Sequence, residues 1–464
     1  MFGANGLLSS ATMQTADAIT TLRERHKNFY MEGLVMEKYR ITPAEQLMCD
    51  FLSAEGAKGI PTPTITTVLK EKVNVAALTY AVNATMAFHP YFATRLIREG
   101  DTFYWQENSR TPVILEKQIT EGFFYGDRTN HFFPWAVTYF DHSIYFDFAH
   151  ELADGGGISV FCATLMEYYA RYIDGDMSQI AEKDTREERL EREASLPSEV
   201  AYRPGVQAIY QPKNKNEKVS DFRPEMMGEI PNSKRFCIDA NTLRKVSFRF
   251  DASPFAVITP ILARASMPYL SGEHKIAKFM IPQDVRGFFG SQTLHNFSLA
   301  NSFYYFDDKM RTMPIDQIAT MFRGRLDLLS DISNIEAFYT YLYEMGQRLH
   351  IPEVRAQAKS AFNARVYQQT TIAYIHVTRS GLSENASKYI SNVYLNDVIP
   401  ESMICCVGEN FSDHINLTIG TRFLDDGFFE NVCAQLDELG VGYSMEAIDA
   451  RGERSFLFSD DADC

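Results

Sequence analysis

One short segment, FDFAHELADGGG (residues 146–157), combines side chains that can take part in proton transfer. His150 stands at the end of an apparent strand, and Asp154 lies four residues further along the chain. A neutral imidazole, whose ordinary pKa is about 6.5, can accept a proton from an alcohol or amine near neutral pH. Because a turn after a rigid strand can hold the ring in one orientation, we predict that His150 is a general base. Asp154 would brace the turn by folding back on it or by pairing with a distant arginine. On spacing alone, a purely structural turn explains the same residues.

Other chemistries suggested by this segment lack a required part. The letters HELAD resemble the HExxH zinc motif, but Asp154 stands in place of the second histidine. We expect the glycines at 155–157 to prevent the helix that this zinc geometry needs, so no metal site is predicted. These glycines lack the following Lys-Ser/Thr of a phosphate-binding loop, and neither GxGxxG nor GxSxG occurs. No serine or cysteine stands in a recognisable nucleophile setting, which favours direct transfer over a covalent enzyme intermediate.

The composition is that of a large globular protein. The chain has 464 residues, of which 45% are hydrophobic and 23% charged, so we expect two or three compact units. A formal net charge of −15 makes nucleic acid an unfavourable partner. The seven cysteines show no CxxC spacing and are predicted to be reduced thiols. No leader-like start and no apolar run of about 18 residues is visible, which predicts a cytoplasmic protein without a membrane span.

Hydrophobic spacing predicts the elements that position the motif. A helix is expected at TPAEQLMCDFL, with Thr42 as its cap and Glu45 in its first turn. TITTVLKEK is rich in β-branched residues and predicts a strand, which is followed by a helix over 73–92. Further strands are predicted at 103–107, 112–118 and 134–149. After a break at the three glycines, ISVFCATLMEYYARY has the spacing of an amphipathic helix.

Charge and proline become frequent from Asp174 to about Lys234, which marks the predicted boundary between two halves. Within this stretch, EKDTREERLERE is predicted to be a solvent-exposed helix. Beyond it a similar order of elements returns, with strands expected at RFCIDA and KIAKFMIPQDVR and helices at NTLRKVSFRF and SPFAVITPILARASMPYL. The last third predicts helices at SNIEAFYTYLYEMGQRLH and DDGFFENVCAQLDELG and strands at ESMICCVGENF and DHINLTIGTRF. The partial repetition favours two related halves.

The chain resembles the chloramphenicol acetyltransferase-like acyltransferases, which include peptide-synthetase condensation domains and alcohol acetyltransferases. The similarity covers about residues 39–440 and rests on YRITPAEQ, AFHPYFATRLI, FAHELADGGGISVF, MIPQDVRGF, HNFSLANSF and VGENFSDHINLTIGTRF. The family pattern is HHxxxDG, and its second histidine, aspartate and glycine match His150, Asp154 and Gly155. Ala149 replaces the first histidine, as in branches that keep only HxxxDG, and the DFGWG signature of the plant branch is absent.

The resemblance implies an α/β fold class with two chloramphenicol acetyltransferase-like lobes. Each lobe would be a mixed β-sheet with helices, and together they would form a pseudo-dimer with a channel between them. The segments would be an extension (1–38), an N-terminal lobe with the HxxxDG motif (39–175), a crossover (176–233) and a C-terminal lobe (234–464). The two fused lobes predict a monomer.

Several site residues follow from the resemblance. Arg286 matches the family's arginine that pairs with the motif aspartate, which implies a structural Asp154–Arg286 salt bridge. Gly155 and Gly156 would shape the turn. The backbone N–H of Gly156 and the side chains of Asn296 and Ser298 are candidate contacts to the oxyanion or the substrate.

The implied function is acyl transfer from an acyl-CoA thioester to a small-molecule alcohol or amine acceptor. His150 would be the general base in a ternary complex, with acyl-CoA as cosubstrate and no bound cofactor. One alternative is a free-standing condensation-type enzyme that uses the thioester of an acyl carrier protein. Another is a non-catalytic binding protein on the same fold, favoured by Ala149 and by the lack of a clear basic patch for CoA. A hydrolase with a His150–Asp154 dyad is a third, disfavoured because no nucleophile is visible.

Overall fold

The computed structural model describes residues 37–52, 63–116, 126, 128–180, 183–210, 219–299, 303–366, 370–375, 382–396 and 404–448. The described residues from Tyr39 onward form one compact unit. The predicted extension 1–38 lies almost entirely outside the described residues.

The strands are β1 (Lys38–Arg40), β2 (Thr64–Leu69), β3 (Thr94–Glu99), β4 (Thr102–Glu107), β5 (Ile114–Glu116), β6 (Trp135–Phe140), β7 (Ser143–Phe148), β8 (Met227–Asp239), β9 (Ile276–Met280), β10 (Phe303–Asp307), β11 (Thr370–Ile375), β12 (Ile390–Asn396), β13 (Ile404–Phe411), β14 (His414–Phe423) and β15 (Tyr443–Ile448). The helices are α1 (Pro43–Leu52), α2 (Val75–Phe88), α3 (Gly155–Ile173), α4 (Arg186–Glu193), α5 (Pro197–Val200), α6 (Ala240–Arg249), α7 (Pro254–Ser266), α8 (Arg286–Phe289), α9 (Asp308–Arg311), α10 (Ile315–Leu329), α11 (Ile332–Gly346), α12 (Pro352–Val366), α13 (Glu384–Ser387) and α14 (Gly427–Leu439).

Two large sheets form the framework of the unit. The first has the order β12-β2-β7-β6-β5, with β5 parallel to β6 and the other pairs antiparallel. The second has the order β10-β9-β11-β13-β14-β8-β15, with β11 parallel to both β9 and β13. Helices α2 and α3 contribute to the core of the first sheet, and α6, α7, α10 and α14 to that of the second. The predicted mixed α/β fold with two lobes is confirmed.

The second half of the chain completes the sheet of the first half. Strand β12 pairs antiparallel with β2, so that Tyr394 lies opposite Thr66 and Leu395 opposite Ile65. This strand belongs by sequence to the segment 234–464, whereas its backbone partner belongs to 39–175. The connection between the halves is therefore made by backbone hydrogen bonds as well as by side chains.

Strand β13 lies between the two hydrophobic cores. Its side chains alternate, as a β-strand requires, so that Cys405 and Val407 join the core of the first sheet. Ile404 and Cys406 join the core of the second sheet. Because a one-residue slip would exchange the two sets, the register of β13 is tied to both lobes.

Most local predictions near the motif are confirmed, and two are wrong. Thr42 and Glu45 form the expected reciprocal cap of α1, through the Thr42 N–H to Glu45 Oε2 (2.8 Å) and the Glu45 N–H to Thr42 Oγ1 (3.1 Å). The three glycines do not delay the following helix, because α3 begins at Gly155. Helix α4 is not solvent-exposed along its length: the side chain of Glu193 is buried and accepts a hydrogen bond from His89 Nδ1 at 2.7 Å.

No helix in the described part of the chain combines the length and apolar character that crossing a membrane requires.

Candidate active site

His150 and Asp154 lie in one turn between β7 and α3. The Ala149 N–H donates to the Pro134 carbonyl at 2.8 Å, which extends the β6–β7 pairing to the residue before His150. The Leu152 N–H then donates to the Ala149 carbonyl at 3.0 Å and turns the chain. Asp154 is the N-cap of α3. The turn is thus fixed at one end by a sheet and at the other by a helix.

Asp154 is buried and surrounded by donors. Its carboxylate accepts hydrogen bonds from the Gly157 N–H (3.0 Å), the Phe297 N–H (2.9 Å) and the Ser298 hydroxyl (2.7 Å). Two more come from Arg286, through Nη2 at 2.6 Å and Nη1 at 3.1 Å. Burial by itself raises the pKa of Asp154, but the Arg286 charge and these hydrogen bonds outweigh burial and hold the pKa below its usual value. Asp154 is therefore an anion that braces the turn.

Arg286, at the start of α8, has an acceptor for each of its five N–H groups. Besides the two bonds to Asp154, Nε donates to the Thr293 carbonyl (2.8 Å) and Nη2 to the His295 carbonyl (2.6 Å). Nη1 also donates to Asp284 Oδ1 at 3.0 Å. Burial lowers the pKa of Arg286, but the two carboxylates raise it by more, so the pKa lies above its ordinary value. The ion pair links the motif turn of the first half to the segment that follows β9.

The glycines after Asp154 are required by close approach of other groups. A Cβ atom at Gly156 would lie 2.6 Å from Arg286 Nη1, and one at Gly157 would lie 2.5 Å from the Leu294 carbonyl oxygen. Both distances are shorter than any ordinary contact. Gly155 begins the helix that the ion pair abuts. Any larger residue at 156 would push the guanidinium away from Asp154.

In contrast to Asp154, the ring of His150 has no hydrogen-bond partner among the described residues. The residue is half-buried, and its Nδ1 atom is buried without a hydrogen bond to any described residue. The turn therefore fixes the backbone of His150, whereas no described side chain fixes the tautomer of its ring. The neighbouring Glu151 is 1% exposed, and burial, with the charge of Glu45, raises its pKa to about 7.

Asn296 and Ser298 both lie at the turn, but their donor groups are already in use. The Asn296 amide Nδ2 donates to the His150 carbonyl at 2.9 Å and to Glu45 Oε1 at 3.3 Å. The Ser298 hydroxyl donates to Asp154. Both side chains predicted as oxyanion or substrate contacts therefore donate to acceptors of the protein.

A second buried network beside the turn was not predicted. Glu45 and His295 are fully buried and hydrogen-bonded through His295 Nδ1 at 2.9 Å, although 250 residues separate them. The Tyr91 hydroxyl donates to the Leu152 carbonyl at 2.7 Å. The sequence marked Glu45 only as a cap and His295 only as a structural histidine, and nothing in their spacing signals the contact.

Among the described residues, no cluster of three or more histidine, cysteine, aspartate or glutamate side chains has an arrangement that could hold a metal ion.

Searches against protein-family models and against curated proteins gave no match. Solved structures do match over most of the chain. Polyketide synthase associated protein 5 from Mycobacterium tuberculosis is 12% identical with a TM-score of 0.54, covering 86% of this chain and 97% of its own. The epimerization domain of tyrocidine synthetase B is 10% identical with a TM-score of 0.58, covering 88% and 97%. TRI101 from F. graminearum, solved with coenzyme A and deoxynivalenol, is 12% identical with a TM-score of 0.57, covering 88% and 99%.

The chain has the chloramphenicol acetyltransferase-like fold. The resemblance predicted from the sequence is confirmed at the level of the fold, which a trichothecene 15-O-acetyltransferase from Fusarium sporotrichioides and peptide-synthetase domains share. At 10–12% identity these neighbours establish the architecture, and the chemistry has to be argued from the site.

Proposed function

We propose that this protein is an acyltransferase that moves an acyl group from a thioester to an alcohol or amine, with His150 as the general base. The observation that carries the proposal is that the residues that brace the turn differ from the residue that is available to a ligand. Asp154 and Arg286 hold the backbone of the turn, and their hydrogen-bonding groups are all in use. The ring of His150 is partly exposed, and its nitrogen atoms have no hydrogen-bond partner among the described residues. A base that must exchange a proton with a ligand needs that freedom.

In the proposed reaction, Nε2 of His150 removes the proton of the acceptor O–H or N–H group. The acceptor atom attacks the thioester carbonyl carbon and forms a tetrahedral oxyanion. Collapse of this intermediate breaks the carbon–sulfur bond, and the imidazolium returns the proton to the departing thiolate. The products are the ester or amide and the free thiol, so no further reactant is needed. Nδ1 is the buried nitrogen, which leaves Nε2 as the one available to the acceptor.

Asp154 does not serve as a second base in this scheme. Its carboxylate already accepts five hydrogen bonds, and its lowered pKa makes it a poor proton acceptor. The described cysteines are free thiols, and burial raises the pKa of Cys162 and Cys406, so that neither is activated as a nucleophile. These properties favour direct transfer over an acyl-enzyme.

For the oxyanion we assign the backbone N–H of Gly156 at the N-terminus of α3. The first-turn N–H groups of a 19-residue helix carry partial positive charge and lack intrahelical acceptors. The side chains of Asn296 and Ser298 are engaged with the protein and would instead hold the turn in place.

Acyl-CoA is the donor that we propose first, because TRI101 solved with coenzyme A and a trichothecene 15-O-acetyltransferase share this fold. A carrier-protein thioester is the second candidate, since peptide-synthetase domains share it equally. A channel between the two lobes is part of the proposal, because donor and acceptor must reach His150 together. The protein is proposed to act as a cytoplasmic monomer.

The test is thiol release from acetyl-CoA and longer acyl-CoAs in the presence of pooled alcohols and amines. We expect release that depends on an acceptor and that falls 10²- to 10⁴-fold, roughly, in His150→Ala. His142→Ala is the matched control, because His142 lies on the exposed turn at the other end of the same hairpin and should leave the rate unchanged.

Each other outcome identifies a different function. Release without any acceptor indicates a thioesterase. No release from any acyl-CoA, but release from an acyl carrier protein, assigns the carrier-bound donor. Equal rates for wild type and His150→Ala contradict the proposed role of His150, and inactivity with both donors favours a binding protein.

A further inference from the structure

Asn296 is hydrogen-bonded both to the carbonyl oxygen of His150 and to Glu45, and neither group takes part in the proposed reaction. Its amide Nδ2 donates to the carbonyl of His150 at 2.9 Å and to Glu45 Oε1 at 3.3 Å, and its backbone N–H donates to the same Oε1 at 3.0 Å. Both protons of the amide group are therefore committed. One of them holds the residue that carries the candidate base.

Glu45 is fixed from several directions. Its Oε2 accepts from the Thr42 N–H at 2.8 Å and faces His295 Nδ1 at 2.9 Å, while Oε1 accepts from Asn296. The side chains of Glu45 and His295 are fully buried. A carboxylate that is removed from water keeps its geometry only where protein donors replace its hydration, and here four groups do so.

These contacts come from three separate parts of the chain. Glu45 belongs to α1, His150 to the turn after β7, and Asn296 to the segment after α8 that also supplies acceptors to Arg286. A shift of Glu45 would move the Asn296 amide, and the amide would move the His150 carbonyl. Since the His150 ring makes no hydrogen bond to a described residue, its placement depends on its backbone.

We propose that Glu45 and Asn296 are positioning residues for His150, acting through its carbonyl oxygen rather than on the substrate. This inference rests on the proposed function of His150 but adds a requirement from outside the HxxxDG turn. General-base catalysis is sensitive to displacements of about 1 Å, which can lower a rate roughly 10²-fold. Loss of either residue therefore lowers kcat while the binding of acyl-CoA is retained.

The experiment compares Asn296→Ala and Glu45→Gln with Gln435→Ala in the full-length protein. Gln435 is a matched control, because its buried amide donates to the Ile261 carbonyl in the other core, away from the turn. We expect Asn296→Ala to lower kcat about 10- to 100-fold with the KM for acyl-CoA changed less than about twofold. Gln435→Ala should destabilise the fold to a similar degree and keep kcat within about twofold.

A second arm combines Asn296→Ala with His150→Ala. If Asn296 acts through His150, it has nothing left to position, so the residual rate of His150→Ala should not fall further. A further fall by the same factor as in the wild-type background overturns the proposal. So does an Asn296→Ala variant whose kcat stays within twofold of wild type.

A third arm is independent of turnover and separates failure of this inference from failure of the proposed function. The protein has 10 histidines, and the ring signals of His150 in a ¹⁵N-histidine-labelled sample are those lost in His150→Ala. Asn296→Ala and Glu45→Gln should shift or broaden these signals, and Gln435→Ala should not. Unchanged His150 signals in both variants contradict the positioning role even if the protein transfers no acyl group.

Discussion

The motif turn contains two buried carboxyl groups, Asp154 and Glu151, whose pKa values are shifted in opposite directions. Asp154 receives five hydrogen bonds and faces Arg286, and its pKa lies below the usual value although burial alone would raise it. Glu151, three residues earlier, has a buried Oε1 without a described partner, and burial raises its pKa to about 7. The difference shows that the supply of donors, and not depth alone, decides the charge of a buried carboxyl. The turn therefore has two ends, the bracing end at Asp154 and the end that carries His150 and Glu151.

The largest expected effect on stability lies at the bracing end. Asp154→Ala leaves the Arg286 guanidinium buried without its main partner, at a cost of about 3–5 kcal/mol in the free energy of unfolding measured with urea. Arg323→Ala is the control, since Arg323 is exposed and pairs with the exposed Asp251, so its loss should lower the free energy of unfolding far less. Adding Arg286→Met to Asp154→Ala should recover part of the loss. An Asp154→Ala protein as stable as wild type contradicts the bracing role.

The second-largest expected effect on stability depends on pH and involves Glu151, at the end of the turn that carries His150. Because the folded chain holds the Glu151 proton more tightly than the unfolded chain, this group lowers the free energy of unfolding as pH rises from about 4.5 to about 7. The loss is complete above that range and amounts to about 3 kcal/mol. Glu151→Gln should therefore be more stable than wild type at pH 8 and about equally stable at pH 4. Parallel stability curves for the two proteins would show that folding does not raise the pKa of Glu151.

Removing one hydrogen-bond donor from Asp154 should lower the free energy of unfolding by a smaller amount. This loss should be present at neutral pH and disappear in acid, the opposite of the pH dependence expected for Glu151. Ser298→Ala deletes the hydroxyl that donates to Asp154, at a cost of about 1.5–3 kcal/mol near neutral pH. The pKa of Asp154 should rise, so unfolding on acidification should begin at higher pH than in wild type. Ser247→Ala is the control, because its hydroxyl donates only to a neutral helical carbonyl. Identical acid unfolding of wild type and Ser298→Ala would remove Ser298 from the brace.

The smallest effect is expected at His150 itself. Its ring has no described hydrogen bond to lose, so His150→Ala should change the free energy of unfolding by less than about 1 kcal/mol while acyl transfer falls sharply. Urea denaturation of the same preparation used for the rate assay checks both values together. A large loss of stability would mean that His150 is a structural residue of the turn.

Sequence reasoning reached the local features of this site because they depend on neighbours in the chain. The Thr42–Glu45 cap requires only residues three apart, and the strand–turn–helix around His150 requires only spacing and glycines. The choice of Arg286 as the partner of Asp154 needed the family resemblance, since 132 residues separate the two. Spacing could not reveal that Gly156 must be small, because the atom it accommodates belongs to that distant arginine.

The sequence by itself determined the type and position of the main helices and strands, the two-lobed α/β class through its resemblance, and His150 as the candidate base. Only the tertiary structure decided which side chains would be buried together. Helix α4 has the charge pattern of an exposed helix, yet Glu193 is buried because His89 meets it from another part of the chain. Glu45 has the signature of a cap, yet it also holds Asn296 and His295. Hydrogen bonds act over about 3 Å whatever the separation along the chain, so partners such as these are set by the packing of the two halves.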